Sequence, residues 1–581
     1  MSALRIGFTW PSSPPSSPTD NFFFGIWHPR RAIDLRWHGE PPAGVATLTG
    51  RNWALASAVS PLHDPGGALV HQAADGETAL AFRGYVLAPP LHSYSAGAEL
   101  IDYWQSNPWR EHNGVFAVAR IAGHGAEILL ATDLLGFAPL YYTRFDGALL
   151  FATNPRWLVT TDASSDLVAW RGLLESGFLA AERTLTEGVH RLPAGKALLA
   201  SGASLRLTSW QELDTLPKGE RRLDAAGVAE VERVFHEAMD RCLALPRLDV
   251  LLPLSSGHDS RRILSSLLRR GRPFEALTCR VFHQGRDLDA RYATEMARDL
   301  GLRHRVIEPA PASQFAQDDL TRQVLTDAET GMHSWVPRLM AALPAAPTML
   351  LDGIAGDILG NPGFRIPGLY QSRERDLGII LEASLPGAYQ RVLARVAWPD
   401  ATSVREDLRS YLLSLPQEVN LAEFAFILLR QRRATAPWSQ QLLPPGHVAV
   451  CPFLDLDYLR LLLSFVPADK HATILQRRCL AEFWPDLHRY PGTRDIPPQS
   501  RRRSTRIDRE LTLACARSTL AELESRGGLA RLRDLLSARG RLALLAARAS
   551  RHLMLRTHWQ LGTLEELVLR EQDRQHGWKT E

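Results

Sequence analysis

Two patterns of apolar and polar positions divide this chain. Before Ser209, short apolar runs (Ala68–His71, Thr78–Tyr85, Gly114–Ile121, Glu127–Ala131) are separated by Gly, Pro and Asp, which predicts strands joined by turns. The Pro-Ser-Ser-Pro-Pro-Ser-Ser-Pro stretch at Pro11–Pro18 can continue neither helix nor sheet and reads as an extended loop. Ser209–Arg222 is a polar connector, and beyond it the apolar positions of Asp224–Leu245 recur at helical spacing. Strands then alternate with amphipathic helices: Asp249–Leu254, Ala276–Phe282 and His304–Ile307 as strands, Ser260–Arg270 and Asp289–Leu300 as helices. That alternation predicts a parallel sheet in an α/β domain, whose right-handed crossovers bring successive loops to one ligand-binding edge. Helices dominate the remainder, with amphipathic stretches at Asp508–Glu524 and Leu529–Ala547, and no internal repeat is found.

Size and composition narrow the picture further. A chain of 581 residues has room for two or more domains, each with its own core. A net charge of +4 is too small to argue for nucleic acid. The five cysteines are scattered without a Cys-x-x-Cys pair, so neither a disulfide framework nor a zinc site is expected, and a reducing cytoplasm fits. The N-terminus lacks the charged start and apolar core of a signal peptide. No run approaches the roughly 18 apolar residues that span a bilayer.

The chemistry concentrates after the first strand of the α/β region. Asp249-Val-Leu-Leu-Pro-Leu-Ser-Ser-Gly-His-Asp-Ser-Arg-Arg-Ile-Leu264 reads as a buried strand, a tight Ser/Gly turn with one acid, then a helix. The helix N-terminus favours an anion; Ser255, Ser256 and Ser260 add hydroxyl donors, and Gly257 permits close backbone approach. Asp259 would repel a bare phosphate, so its presence points to a bridging Mg²⁺ ion. No Gly-Lys-Ser/Thr follows, so this is not a Walker loop. It resembles the Ser-Gly-Gly-x-Asp-Ser pyrophosphate loop of enzymes that split ATP into AMP and pyrophosphate.

Three further segments extend that resemblance. Asn113-Gly-Val-Phe-Ala-Val-Ala, Ala131-Thr-Asp-Leu-Leu-Gly-Phe-Ala-Pro-Leu-Tyr-Tyr-Thr143 and Leu150-Phe-Ala-Thr153 resemble the glutaminase domain of asparagine synthetases. Leu351-Asp-Gly-Ile-Ala-Gly-Asp-Ile-Leu-Gly360 resembles the second acidic loop of that family, and Val450-Cys-Pro-Phe-Leu-Asp-Leu-Asp457 its Pro-Phe-Leu-Asp element. The resemblance implies an Ntn-hydrolase-like αββα domain over residues 1–215 and a pyrophosphate-loop α/β domain, rich in helices, over residues 216–581. It implies ATP and Mg²⁺ as cofactors, with Asp259 and Asp357 as metal ligands. Ser255, Ser256, Gly257, His258, Asp259, Ser260, Arg261, Gly353 and Gly356 would line the nucleotide site. Asp357 follows a second predicted strand, Thr348–Leu351, and is expected on the same sheet edge as Asp259. Asp289 resembles the acidic position after the family's second strand, with helix capping as the alternative.

Departures from the family pattern sharpen the expectation. Working asparagine synthetases expose a terminal cysteine that takes ammonia from glutamine. This chain begins Met1-Ser2, and its first cysteine is Cys242, so that thiolate chemistry is not expected. Ser2 as a terminal nucleophile is the alternative. Loss of ammonia supply points toward relatives that use an amine of the substrate itself, such as β-lactam synthetases and lasso-peptide cyclases. The implied reaction adenylates a small-molecule or peptide carboxylate for attack by an amine, with ring closure of a peptide as the preferred case. A precursor peptide and its leader-binding partner would then be partners, with neither nucleic acid nor membrane.

Ile354 occupies the place of the usual base and cannot take a proton. His333 is the proposed replacement, with Glu329 as its rival. The family's late lysine is missing; Arg489 or Arg494 is expected to supply the cation, whereas Lys470 lies too early. Arg261 is a candidate phosphate contact, and Arg262 is expected to face outward or pair with an acid. The Ser500–Arg506 run reads as a solvated loop or an acidic-partner surface. Two other readings stay open: a pyrophosphate-loop tRNA-modifying or sulfur-transfer enzyme, and a degenerate nucleotide-binding partner protein.

Overall fold

A computed structural model describes residues 3–9, 22–39, 45–58, 70–92, 97–106, 112–160, 162–202, 204–210, 213–245, 248–280, 287–308, 311–327, 329–330, 335–356, 369–384, 401–444, 446–470, 473–492, 513–525, 527 and 577–580. Pro11–Pro18, Ser500–Arg506 and Leu529–Ala547 fall outside these, while 513–525 is helical.

The N-terminal region is a sandwich of antiparallel sheets. One is seven-stranded and carries Ala79–Leu87, Gly114–Ala122, Glu127–Thr132 and Lys196–Ser201 side by side; the other is six-stranded and centres on Phe23–Trp27 and Ala148–Ala152. Their facing side chains, among them Phe23, Trp27, Phe151, Tyr85, Ala117 and Leu130, form a common core. The central strands are apolar at nearly every position because both their faces are covered. Helix Gly97–Ser106 lays Leu100, Ile101 and Trp104 on the outer face of the larger sheet. The outer face of the smaller sheet packs against Leu4, Ile6, Phe8 and Trp578. Trp578 lies on Gly577–Thr580, which pairs antiparallel with Leu4–Thr9, so the last described residues join the first domain rather than the 216–581 unit expected from sequence.

The second region is built on a five-stranded parallel sheet, ordered His304–Ile307, Glu275–Cys279, Asp249–Pro253, Thr348–Leu351, His447–Val450. The first three strands in sequence run outward to one side, and the chain then crosses back to place the last two on the other. Asp249–Pro253 and Thr348–Leu351 therefore flank the point where strand order reverses, the crevice in which open α/β sheets bind ligands. Helices Ala225–Leu243 and His258–Arg270 begin close to the predicted positions. Asp224 caps the first by accepting from the Gly227 amide at 2.7 Å.

Charged residues join the two regions. Glu329 sits between Arg191 and Arg433, at 2.5 and 3.0 Å, and accepts from the Tyr141 hydroxyl at 2.5 Å. Arg432 grips Glu182 through both its terminal nitrogens, at 2.8 and 2.9 Å. Arg432 and Arg433 are consecutive yet both fully buried, on a π-helical stretch Phe426–Thr435. Gly136 adopts φ +64° there, and a Cβ on it would lie 2.8 Å from Arg432 Nε. Asn113 donates to Asp455 at 2.8 Å, and Arg241 donates to the same carboxylate twice at 2.6 Å. Segments that carry the family resemblance, around Asn113, Gly136, Tyr141 and Pro452–Asp455, thus meet at the domain junction.

Candidate functional site

The site begins where the strand Asp249–Pro253 ends. Asp249 pairs with Thr348 and Leu251 with Leu350, so the loops that follow the two strands emerge together. Gly353 and Gly356 of the second loop lie directly on Asp259. A Cβ at Gly356 would be 2.7 Å from Asp259 Cγ, and one at Gly353 would be 3.3 Å from Asp259 Cβ. A side chain at Gly356 would force the Asp259 carboxyl aside, and one at Gly353 would fit only tightly, so the glycines let the second loop lie against the first acid. Asp357 itself lies outside the described residues. Among the described residues no group of three or more His, Cys, Asp or Glu is placed to hold a metal ion.

The first loop is braced from within. Ser260 Oγ accepts from the Ser255 amide at 3.2 Å and donates to the Ser255 carbonyl at 3.0 Å. Ser255 Oγ accepts from the Gly257 amide at 3.1 Å. Ser256 donates both its amide and its hydroxyl to Asp289, at 2.7 and 2.5 Å. The Ser260 hydroxyl, expected to face a phosphate, bonds the loop's own backbone, and the Ser256 hydroxyl bonds the Asp289 side chain, so both hold the loop in shape. Asp289 is the third residue of the helix Asp287–Asp299 and secures the neighbouring loop, in place of the capping role expected as the alternative. Gly257 gives the helix His258–Arg270 no side-chain cap, so the first-turn amides at His258, Asp259 and Ser260 form the anion-facing end of this element.

The two arginines behind the loop are both buried. Arg261 is 1 % exposed and donates through Nη1 to the carbonyls of Leu487 and Tyr490, at 3.0 and 2.7 Å. It ties down the segment after the helix Ile474–Phe483. Arg262 is equally buried and, of its two expected placements, takes the one paired with an acid: it meets Glu232 at 3.0 Å, donates to Tyr458 and lies over the Phe235 ring. Burial works against ionised Glu232, but Arg262, His236 and Trp484 outweigh it and hold the carboxyl down to about 2.

Of the proton-acceptor candidates, His333 lies outside the described residues and Glu329 does not fit the task. Burial alone would raise the Glu329 pKa, but Arg191, Arg433 and the Tyr141 hydroxyl prevail and lower it. A fully buried carboxylate locked in ion pairs is a poor base, so Glu329 is a junction residue. Of the two candidate cations, Arg494 lies outside the described residues. Arg489 is exposed and stacks on Tyr490, to whose hydroxyl it donates at 3.0 Å. Lys470 is buried against Glu423 at 2.8 Å and the Leu462 carbonyl at 2.6 Å, consistent with a supporting position.

One acid went unrecognised in the sequence. Asp352 opens the second loop, accepts from the Ile354 amide at 3.1 Å, and has its carboxyl raised by burial to about 7. It stands beside Gly353 in the quoted motif, so its place next to the site was legible; its burial was not.

Comparisons with known proteins bear on this arrangement. Residues 99–211 match a glutamine amidotransferase domain, and residues 230–515 match asparagine synthase. The chain is an asparagine synthetase-like protein. Members of this superfamily are ATP-dependent, amide-forming ligases, and the synthetase-like part carries both loops described above. Two solved structures are similar at low level. Glutamine phosphoribosylpyrophosphate amidotransferase from B. subtilis, complexed with ADP and GMP, is 11 % identical over 50 % of this chain and 82 % of its own, with TM-score 0.22. The allosteric regulatory enzyme of purine biosynthesis is 11 % identical over 50 % and 81 %, with TM-score 0.21. Similarity at this level carries no argument. No curated protein matches the chain. No helix among the described residues is long and apolar enough to cross a membrane.

Proposed function

We propose that this asparagine synthetase-like protein activates a substrate carboxylate with Mg-ATP and passes the acyl group to an amine. The carboxylate oxygen would bond to the α-phosphorus as the bond to pyrophosphate breaks, giving an acyl-adenylate. Amine attack on the acyl carbon would then release AMP and a proton and leave an amide. The observation that carries the reading is the contact of Gly353 and Gly356 with Asp259 at the strand-order switch. It fits a nucleotide site because the glycines leave room for the second acidic loop to reach the first. Asp259 and Asp357 would hold Mg²⁺, which when bound offsets triphosphate charge and favours departure of pyrophosphate. The first-turn amides of the helix His258–Arg270 would orient the phosphates.

In this reading the first domain has no glutaminase role. Its sheets and the Arg191–Glu329–Arg433 cluster support the synthetase-like domain. His333 is the remaining candidate to receive the amine's proton, and Arg494 or Arg489 the cation for the acyl-phosphate oxygens. Ring closure of a peptide, with a leader-binding partner, is the preferred substrate case, since an internal amine needs no ammonia source. A second reading, a nucleotide-binding partner without turnover, draws on the occupation of the Ser256 amide by Asp289 and on the apolar Ile354.

The test is Mg²⁺-dependent conversion of ATP to AMP and pyrophosphate in the presence of pooled amino acids and peptides. AMP formed by wild type and not by Asp259→Ala supports the ligase. ATP binding without AMP in every pool supports the second reading.

A further inference from the structure

Gln476, the third residue of the helix Ile474–Phe483, is a buried amide engaged at only one end. It is 2 % exposed, and its Nε2 donates to the Gly356 carbonyl at 2.8 Å. A carbonyl only accepts, so this bond decides which end of the amide is nitrogen. The other end, Oε1, is buried and accepts no hydrogen bond among the described residues. Buried acceptors in folded proteins are costly to leave unmade and are rarely left so.

The placement says what kind of donor would fit. Gly356 is the residue on which a Cβ would come 2.7 Å from Asp259 Cγ, so the Gln476 amide and the Asp259 carboxylate attend the same short piece of backbone. Two oxygen acceptors disfavour a phosphate oxygen placed directly between them. They favour a hydrated divalent cation, whose bound waters donate, and Mg²⁺ characteristically retains several of its waters when protein-bound. We propose that Gln476 is a positioning residue of the nucleotide site. Its Nε2 holds the second acidic loop at Gly356, and its Oε1 accepts a hydrogen bond from a water on the nucleotide's divalent cation. The proposal rests on reading this crevice as an ATP site.

The experiment uses Mn²⁺ as a paramagnetic probe together with α,β-methylene-ATP, on the full chain. Mn²⁺ affinity is followed by electron paramagnetic resonance and by calorimetry. Gln476→Leu is expected to weaken Mn²⁺ binding to the nucleotide-loaded protein by about tenfold, the usual effect of losing an outer-shell partner. Gln476→Lys keeps a donor for the Gly356 carbonyl but has no acceptor, so it should weaken Mn²⁺ binding at least as much as leucine does. A folded Gln476→Leu with wild-type Mn²⁺ affinity overturns the proposal; if its amide product alone then falls, the acceptor serves the amine. Should the leucine variant fail to fold, Gln476→Lys decides, and wild-type Mn²⁺ affinity there overturns the assignment. If wild type itself binds no Mn²⁺ with nucleotide, the ATP-site reading fails and this inference with it.

Discussion

At the domain junction Glu329 lies between Arg191 and Arg433 with a tyrosine hydroxyl on its second oxygen, and Arg432 clasps Glu182. At the crevice edge of the parallel sheet, the acid Asp259 is pressed against two glycines, and the loop around it is held by serine hydroxyls and backbone amides. The junction buries its ionisable groups beside opposite charges, whereas the crevice brings two glycines of a second loop against a half-buried acid. Three guanidiniums packed around two carboxylates make a rigid joint. The acid of the crevice instead stands at the sheet edge where the strand order reverses, against the second acidic loop. The buried charge at the junction therefore maintains the architecture, and the sparser crevice is where chemistry is expected.

Variants in each region should separate these roles. The largest effect on activity is expected from Asp259→Ala, which should reduce AMP formation to background and leave the melting temperature unchanged; normal turnover would remove Asp259 from the metal site. At the junction, Glu329→Gln leaves two buried guanidiniums short of their counter-charge and should cost about 3–5 kcal/mol in stability, read by urea denaturation. AMP formation per folded molecule should survive, and its selective loss would return Glu329 to the catalytic group.

Gly356→Ala puts a methyl group 2.7 Å from the Asp259 carboxyl carbon. A displacement of that kind at a reacting centre can cost up to about a hundredfold in rate, measured as AMP formation at saturating ATP. Gly378→Ala, with no atom within 4 Å of the added Cβ, is the neutral control. Equal behaviour of the two variants would dissolve the contrast between a packed site glycine and an open one.

The smallest expected effect is on pH dependence. Folding lifts the Asp352 carboxyl to about 7, against about 3.9 in an unfolded chain. Between those values the folded protein keeps a proton that the unfolded chain has released, so stability falls as pH rises through the window. Asp352→Asn should flatten that fall between about pH 4 and about pH 7, as followed by denaturation at several pH values. A variant with the wild-type slope would place the titration elsewhere.

Much of this was legible in the residue order. The strand His304–Ile307 appears where its apolar run predicts, and Asp224 ends the connector as a helix cap. The alternation of strands and helices foretold the parallel sheet, since a period of apolar positions is a local property. Arg262 pairs with an acid as one expectation had it, but the burial of Arg261, Arg262 and Glu329 was not legible, because a charge in sequence carries no record of its surroundings. The partner of Glu329 is 138 residues away in Arg191, and the carbonyls that hold Arg261 are 226 and 229 residues away. Gln476 gave no signal, being 120 residues from the glycine it grips.

By itself the sequence determined the order of elements, the small-residue loop with its acid, and the second Gly-x-x-Gly segment. Each of these depends on neighbours within a few positions, where side-chain period and backbone sterics act directly. The tertiary structure alone decided that Gly356 touches Asp259, that Ser256 is held by Asp289, and that paired charges close the domain junction. Those contacts depend on strand order and helix packing, which set distances between segments far apart along the chain.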